Sequence, residues 1–505
     1  MSDYDFIDKA LERLTQVEAP KQQSQKIKVF MTRKGTYVEC DNSVMKKIKG
    51  YFTIKDKTIM GYEKITPKYY FQNNKYYIPR FGSFLLKNKF DVEYSNQIKE
   101  DNPANLIYEG EDPTDIQTLI IDDIFNRRFT EAEKKSGRCG VIVNLQAGFG
   151  KTYLSMMIMG RLKCRTIVVV HNCTILDQWK KLLIQKFPQN KIGVYYGNKK
   201  EMGDIVVAVI NTVCQSDISG FIDAYDFFSE FDLAIFDECH EYCSASRSKV
   251  FEYCNVPFII GLSATPDERN DNLTKVIKWG IGPILCAEKL KGYSTESVPF
   301  KGHVVRVKYC GPDEYTKSII NSKLETLSVP KMIEQFTQDT FRTQTIAQLA
   351  LKYYKQKYNI FVFADRRDYL EEINIKISEL AQNISEFLTS DEDLKSIRLV
   401  GGDSADKMET AKQQMRIILT TYQYMGTGCS IPKMNCIILA TPRKNKSRQI
   451  INRIFRLGSD YSITRQIIDI VDWKTPLKNQ YYERKKYYDS QSFTTEDLVI
   501  KHEYF

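Results

Sequence analysis

Two long stretches of the chain alternate short, wholly apolar runs with segments of helical period, a rhythm that predicts open α/β units with parallel sheets. In the first, between about Leu106 and Leu290, the runs at 141–143, 167–170, 233–236 and 258–260 read as strands buried on both faces. Leu154, Met157, Ile158 and Leu162 recur at helical spacing just behind the first run. In the second, from about Val304 to Trp473, the candidate strands are 360–363, 397–400, 417–420 and 436–440. Upstream, from Ile27 to about Asn96, the pattern shifts to aromatic alternations at 28–31, 51–54 and 76–80, predicting a small β-rich domain. A polar linker at 17–25 follows an amphipathic opening (Phe6, Ile7, Ala10, Leu11, Leu14), and the residues beyond 475 are basic and aromatic. The expected organisation is an accessory region 1–105, α/β domains 106–290 and 291–475, and a tail 476–505.

Composition narrows the class. With 42% apolar and 27% charged residues the chain can build sizeable cores. The formal charge of +10 suits a polyanionic partner without identifying one. In the accessory region lysines and tyrosines interleave (46–49, 68–70), a texture in which rings stack on bases while lysines meet phosphates. The Lys- and Tyr-rich overall composition accounts for it equally well. The N-terminus has no basic, apolar leader pattern, and no apolar run approaches a membrane span, so a soluble intracellular protein without a membrane partner is expected. Twelve scattered cysteines fit a reducing compartment. Cys239, His240, Cys243 and Cys254 lie close in sequence but lack the second close ligand pair of a zinc site.

The candidate chemistry begins at Gln146-Ala147-Gly148-Phe149-Gly150-Lys151-Thr152, set between a predicted strand and a predicted helix. Glycines let consecutive backbone N–H groups converge on phosphates, and the helix N-terminus adds its positive dipole end. Lys151 would neutralise the β- and γ-phosphates of ATP, and the Thr152 hydroxyl would ligate Mg²⁺. Leu145 stands where the usual pattern opens on a small residue.

Three further blocks follow. Asp237-Glu238-Cys239-His240 closes an apolar run, the end of a strand where open α/β sheets bind ligands. Asp237 can hold Mg²⁺ and Glu238 can orient and deprotonate the attacking water. Ser263-Ala264-Thr265 follows the next strand, its hydroxyls within reach of the carboxylates. In the second unit, Arg453 and Arg456 are three apart on an expected helix and hence on one face. A guanidinium offered across a cleft to a γ-phosphate is worth about 10³–10⁵ in rate.

In this order and spacing the four blocks resemble superfamily 2 DExH-type helicases and translocases. Gln117 resembles the upstream glutamine of that group, 168–171 through Gln178-Trp179 its motif Ia, 209–212 its motif Ib, 361–365 its motif IV, and Thr420-Thr421 with 426–428 its motif V. More narrowly, 440–444 leading into 453–460 resembles helicases of large cytoplasmic DNA viruses, among them the African swine fever virus helicase and the poxvirus transcript-release helicase. The resemblance implies two tandem RecA-like lobes, ATP and Mg²⁺ as cofactors, and His240 as the last member of the acidic motif. It also implies Thr212 and Thr421 as contacts to nucleic acid, with DNA favoured over RNA, and a role in viral transcription termination beside a viral RNA polymerase or transcription factors. Its location would be the host cytoplasm or viral factory, with packaging in the virion. Four positions depart from the family's pattern: Leu145, Ile450, Asn452 and Ser430.

Overall fold

The computed structural model describes residues 26–57, 63–145, 149–218, 220–221, 223–264, 266, 273–293, 301–321, 326–383, 394–426, 431–443, 447–455, 460 and 462–502. The linker and opening amphipathic segment, Gln146, Ala147, Gly148, Thr265 and Arg456 lie outside these residues.

The first α/β unit is an eight-stranded sheet in the order Lys199–Lys200, Ile192–Tyr196, Ile205–Val209, Thr166–Val170, Leu233–Phe236, Phe258–Ser263, Gly140–Asn144, Ile284–Cys286. Every pairing is parallel except the edge hairpin that ends in Lys199–Lys200. Helices cover both faces, so the strands carry apolar side chains in both phases of the pleat. Val141, Val143, Val168, Val170, Val207 and Ile235 enter one core, while Ile142, Ile167, Val169, Val206 and Ala234 enter the other.

The second unit is a wholly parallel seven-stranded sheet, ordered Ser396–Arg398, Ile417–Thr421, Ile360–Ala364, Cys436–Leu439, Arg465–Asp472, Gly302–Cys310, Thr494–Lys501. Two buried ion pairs staple it. Arg342 donates to both carboxylate oxygens of Asp472 at 2.8 and 3.2 Å. Arg484 does the same to Asp469, at 2.9 and 2.7 Å, and Tyr488 also donates to that carboxylate. Parallel strands with helices on both faces, twice in tandem, are the RecA-like α/β architecture expected.

The stretch 476–505, expected as a basic tail, departs from that reading. The helix Asn479–Ser490 turns Tyr481, Arg484, Tyr487 and Tyr488 inward, and Thr494–Lys501 completes the second sheet beside Gly302–Cys310. Tyr481, Tyr487 and Tyr488 are core, Tyr482 stays exposed, and Arg484 is half of an ion pair.

The upstream region holds a five-stranded sheet, Lys26–Thr32, Gly35–Glu39, Tyr70–Gln72, Lys75–Tyr77 and Asp91–Asn96, with a separate hairpin, Thr53–Lys57 and Glu63–Pro67. The run at 51–54 is not one strand: Tyr51 ends the helix Asn42–Tyr51, and the strand opens at Thr53. Ile27, Val29 and Val38 share a single apolar core with Ile142, Val169 and Phe236 of the first lobe. Arg80, 3% exposed, donates across this seam to the carbonyls of Gly137, Val256 and Pro257. The interleaved aromatics form a cross-strand ladder: Phe30 faces Tyr37, Tyr37 faces Tyr77, and Tyr77 faces Tyr70 in register. Their outermost pairs stack at 4.9 Å.

Candidate active site between the two lobes

The phosphate-loop region folds as its pattern predicts: the strand Gly140–Asn144 leads to Gly150 and the helix Lys151–Leu162. Gly150 adopts φ 75°, and a Cβ there would meet the Gln117 amide nitrogen at 2.5 Å. The backbone conformation therefore favours glycine, and any side chain there would also displace the Gln117 amide. Gln117 closes a capping box with Thr114 at the start of the helix Asp115–Asp123, and its Nε2 donates to the Gly150 carbonyl at 3.3 Å and lies 3.5 Å from that of Phe149. It thus fixes the exit of the loop. The Lys151 ammonium donates to the Leu145 carbonyl at 3.0 Å. Thr152 sits in the first turn of the same helix.

Asp237 and Glu238 follow the strand Leu233–Phe236, and Glu238 adopts a left-handed φ of 46°. That conformation costs a non-glycine residue about 1–3 kcal/mol and turns the side chain away from the course of the strand. Asp237 Oδ1 accepts the Glu238 backbone N–H at 3.0 Å, and Oδ2 accepts the Trp179 indole N–H at 2.9 Å. Partial burial, with the Glu238 charge beside it, pushes the Asp237 carboxyl up to about 6. Burial acts on Glu238 in the same direction. There Lys151, then His240, His171 and Arg453, outweigh it and hold the carboxyl below its ordinary range. Glu238 Oε2 is buried without a hydrogen-bond partner among the described residues, and His240 Nδ1 lies 3.4 Å from it.

His240, 8% exposed, ties three blocks together. Its Nδ1 lies 2.9 Å from Ser263 Oγ at the end of the strand Phe258–Ser263, and its Nε2 lies 3.1 Å from the Gln449 amide nitrogen of the second lobe. With that amide donating, Nε2 accepts and the ring proton sits on Nδ1, directed at Ser263. Gln449 is a site residue that the spacing of the arginines did not single out.

Arg453 is buried, 8% exposed, and close enough to Glu238 to lower its pKa. The expected continuous helix through 449–456 is not formed. Ser447–Ile451 is α-helical, Asn452–Ile454 tightens to a 3₁₀ turn, and Phe455 leaves the helix to stack on Phe493 at 5.0 Å. Arg453 is thus placed by the tight turn rather than by a continuous α-helix.

Of the two threonines expected at the nucleic acid, Thr212 lies half-buried in the short helix Ile210–Val213 behind the strand Ile205–Val209. Thr421 ends the strand Ile417–Thr421, and its hydroxyl accepts the Tyr424 backbone N–H at 3.2 Å. Both stand at C-terminal ends of strands, on the ligand-binding edges of their sheets.

Residues 111–268 match the family model described as "Type III restriction enzyme, res subunit". A protein of African swine fever virus named "Putative ATP-dependent RNA helicase" is 29% identical over 371 residues, 70% of this chain and 69% of that one. A mimivirus protein with the same description, from Acanthamoeba polyphaga mimivirus, is 26% identical over 509 residues, 94% of this chain and 89% of that one. A DNA 3′–5′ translocase of Sulfurisphaera tokodaii is 30% identical over 152 residues, 30% of this chain and 32% of that one. The chain is thus an ATP-dependent helicase or translocase, similar in sequence to proteins named as helicases in large DNA viruses.

Proposed function

We propose that the chain hydrolyses ATP between its lobes to move along DNA in viral transcription termination or transcript release. The observation that carries the reading is the contact of His240 with Gln449 at 3.1 Å, with Arg453 beside Glu238. A residue of each lobe already meets across the place where a triphosphate would lie.

Lys151 exchanges the Leu145 carbonyl for phosphate oxygens. Each Asp237 oxygen takes a single protein donor and keeps acceptor capacity, which suits a divalent cation, so Asp237 and Thr152 would hold Mg²⁺, which would neutralise phosphate charge. Glu238 orients the attacking water and takes its proton. Arg453, with Arg456 as second candidate, meets the charge developing on the γ-phosphate. Gln117 and the loop 146–152 bind the nucleotide. Closure around ATP and reopening after phosphate release shift the lobes, and Thr212 and Thr421 grip the backbone without reading sequence.

The track is DNA, as in the name of the Sulfurisphaera relative; the names of two viral relatives carry RNA instead. A viral RNA polymerase or transcription factor would be the protein partner, in the host cytoplasm or viral factory and packaged in the virion. ATP hydrolysis by wild type, Lys151→Ala and Glu238→Gln, compared with duplex DNA, single-stranded DNA and RNA, tests the reading. DNA-stimulated turnover in wild type alone is expected. Equal hydrolysis by all three proteins overturns the assignment, and stimulation by RNA alone moves the track to RNA.

A further inference from the structure

Trp179 is 2% exposed and lies on the helix Cys173–Lys186, 58 positions before the aspartate it touches. Its indole N–H donates to Asp237 Oδ2 at 2.9 Å, while Oδ1 is held at 3.0 Å by the backbone N–H of Glu238. The Asp237 main chain is anchored as well: the Tyr242 hydroxyl lies 2.7 Å from its carbonyl oxygen and 3.0 Å from that of Val169. Each oxygen of this carboxylate therefore has one lone pair committed to a fixed donor and one left to face the cleft. An indole is a donor only, and it carries a rigid ring on two side-chain torsions, so the bond it makes is directional and holds at any pH of interest.

The helix that carries Trp179 is itself built into the part of the lobe that faces nucleic acid in the proposed reading. Ile175, Leu176, Trp179 and Leu183 belong to one apolar cluster with Val207 and Val209. Those valines belong to the strand Ile205–Val209, which runs directly into the turn of helix holding Thr212. The Trp179 helix and that strand end therefore share one close-packed apolar core.

We infer that Trp179 is a positioning residue for the cation-binding carboxylate, setting the rotamer of Asp237 and tying it to the helix that backs Thr212. The inference rests on Asp237 being a Mg²⁺ ligand. Phenylalanine in its place fills most of the same space and removes only the donor, freeing Oδ2 to rotate away from the cleft. Partners of metal-binding groups typically carry about 10–100-fold in metal affinity or activity.

The test is calorimetric binding of ADP to the full chain, with and without Mg²⁺, for wild type, Trp179→Phe, Asp237→Asn and the double variant. Mg²⁺ tightens ADP binding to wild type; in Trp179→Phe that enhancement falls by about 10-fold or more, while metal-free ADP binding holds. Because Trp179 acts only through Asp237, adding its substitution to Asp237→Asn changes nothing further. Trp179→His, which restores a ring N–H, recovers part of the enhancement and serves where the phenylalanine variant melts early. Wild-type enhancement in Trp179→Phe overturns the inference, as do additive losses in the double variant. Full enhancement in Asp237→Asn removes the metal-ligand assignment itself, separately from the role of Trp179.

Discussion

The imidazole of His240 and the carboxamide of Gln449 meet at 3.1 Å although 209 positions separate them. One belongs to the lobe that carries the phosphate loop, the other to the lobe that carries Arg453, so this single bond reports whether the lobes are apposed. A deletion of the amide that leaves the fold intact should weaken closure more than nucleotide capture.

Gln449→Leu is therefore expected to lower nucleic-acid-stimulated ATP turnover by about 10-fold, the worth of one hydrogen bond to a chargeable partner. ATP affinity of the resting enzyme should stay close to wild type. Steady-state ATPase with and without DNA, alongside fluorescent-nucleotide binding, separates the two. An equal loss in both would place Gln449 in the nucleotide pocket rather than in closure.

Glu238→Gln keeps the side-chain volume and removes the proposed base. Turnover should fall by about 10²–10⁴-fold with ATP binding preserved. A trapped ATP complex, detected by filter retention of labelled nucleotide, is the expected signature.

In the second lobe, Asp472→Asn leaves the fully buried Arg342 without its counter-charge. Breaking such a pair from one side costs about 3–5 kcal/mol. Urea unfolding followed by far-ultraviolet circular dichroism should show a transition at lower denaturant, and Arg342→Met with Asp472→Leu together should recover much of the loss. Asp469→Asn should behave likewise through Arg484.

Asp497 gives a pH dependence with a definite sign. Its carboxylate accepts Arg306 and, with Lys308 adding to the pull, is held down to about 2. A carboxylate depressed in the folded state contributes stability above its unfolded value of about 4 and loses it as pH falls toward 2. Protection of the amides in the edge strand Thr494–Lys501, measured relative to their intrinsic exchange at each pH, should therefore fall across that window in wild type, with a flatter response in Asp497→Asn.

The elements legible in sequence were those whose signal is local. The strand-loop-helix around Lys151 and the carboxylates at the end of Leu233–Phe236 needed only period and composition. Gln449 and Trp179 were not legible as partners, because hydrogen bonds of 209 and 58 positions' separation leave no periodic trace. The helix break before Arg456 was hidden for another reason: apolar spacing at Ile450, Ile451 and Ile454 continues a helical phase, while the stacking of Phe455 on Phe493 decides where the backbone turns. The tyrosines and the single arginine at 481–488 look solvent-loving in sequence, yet Asp469, buried in the sheet, recruits Arg484 and Tyr488 inward. Tertiary pairing overrode polarity there.

The left-handed backbone at Glu238 has a consequence for how this protein would respond to laboratory evolution. Glycine is the residue most at ease in that conformation, so a screen that rewarded only heat tolerance would drift toward it and discard the proposed proton acceptor. Thermally hardened lineages should therefore lose turnover at this one position first, unless selection also demands work from each molecule of ATP.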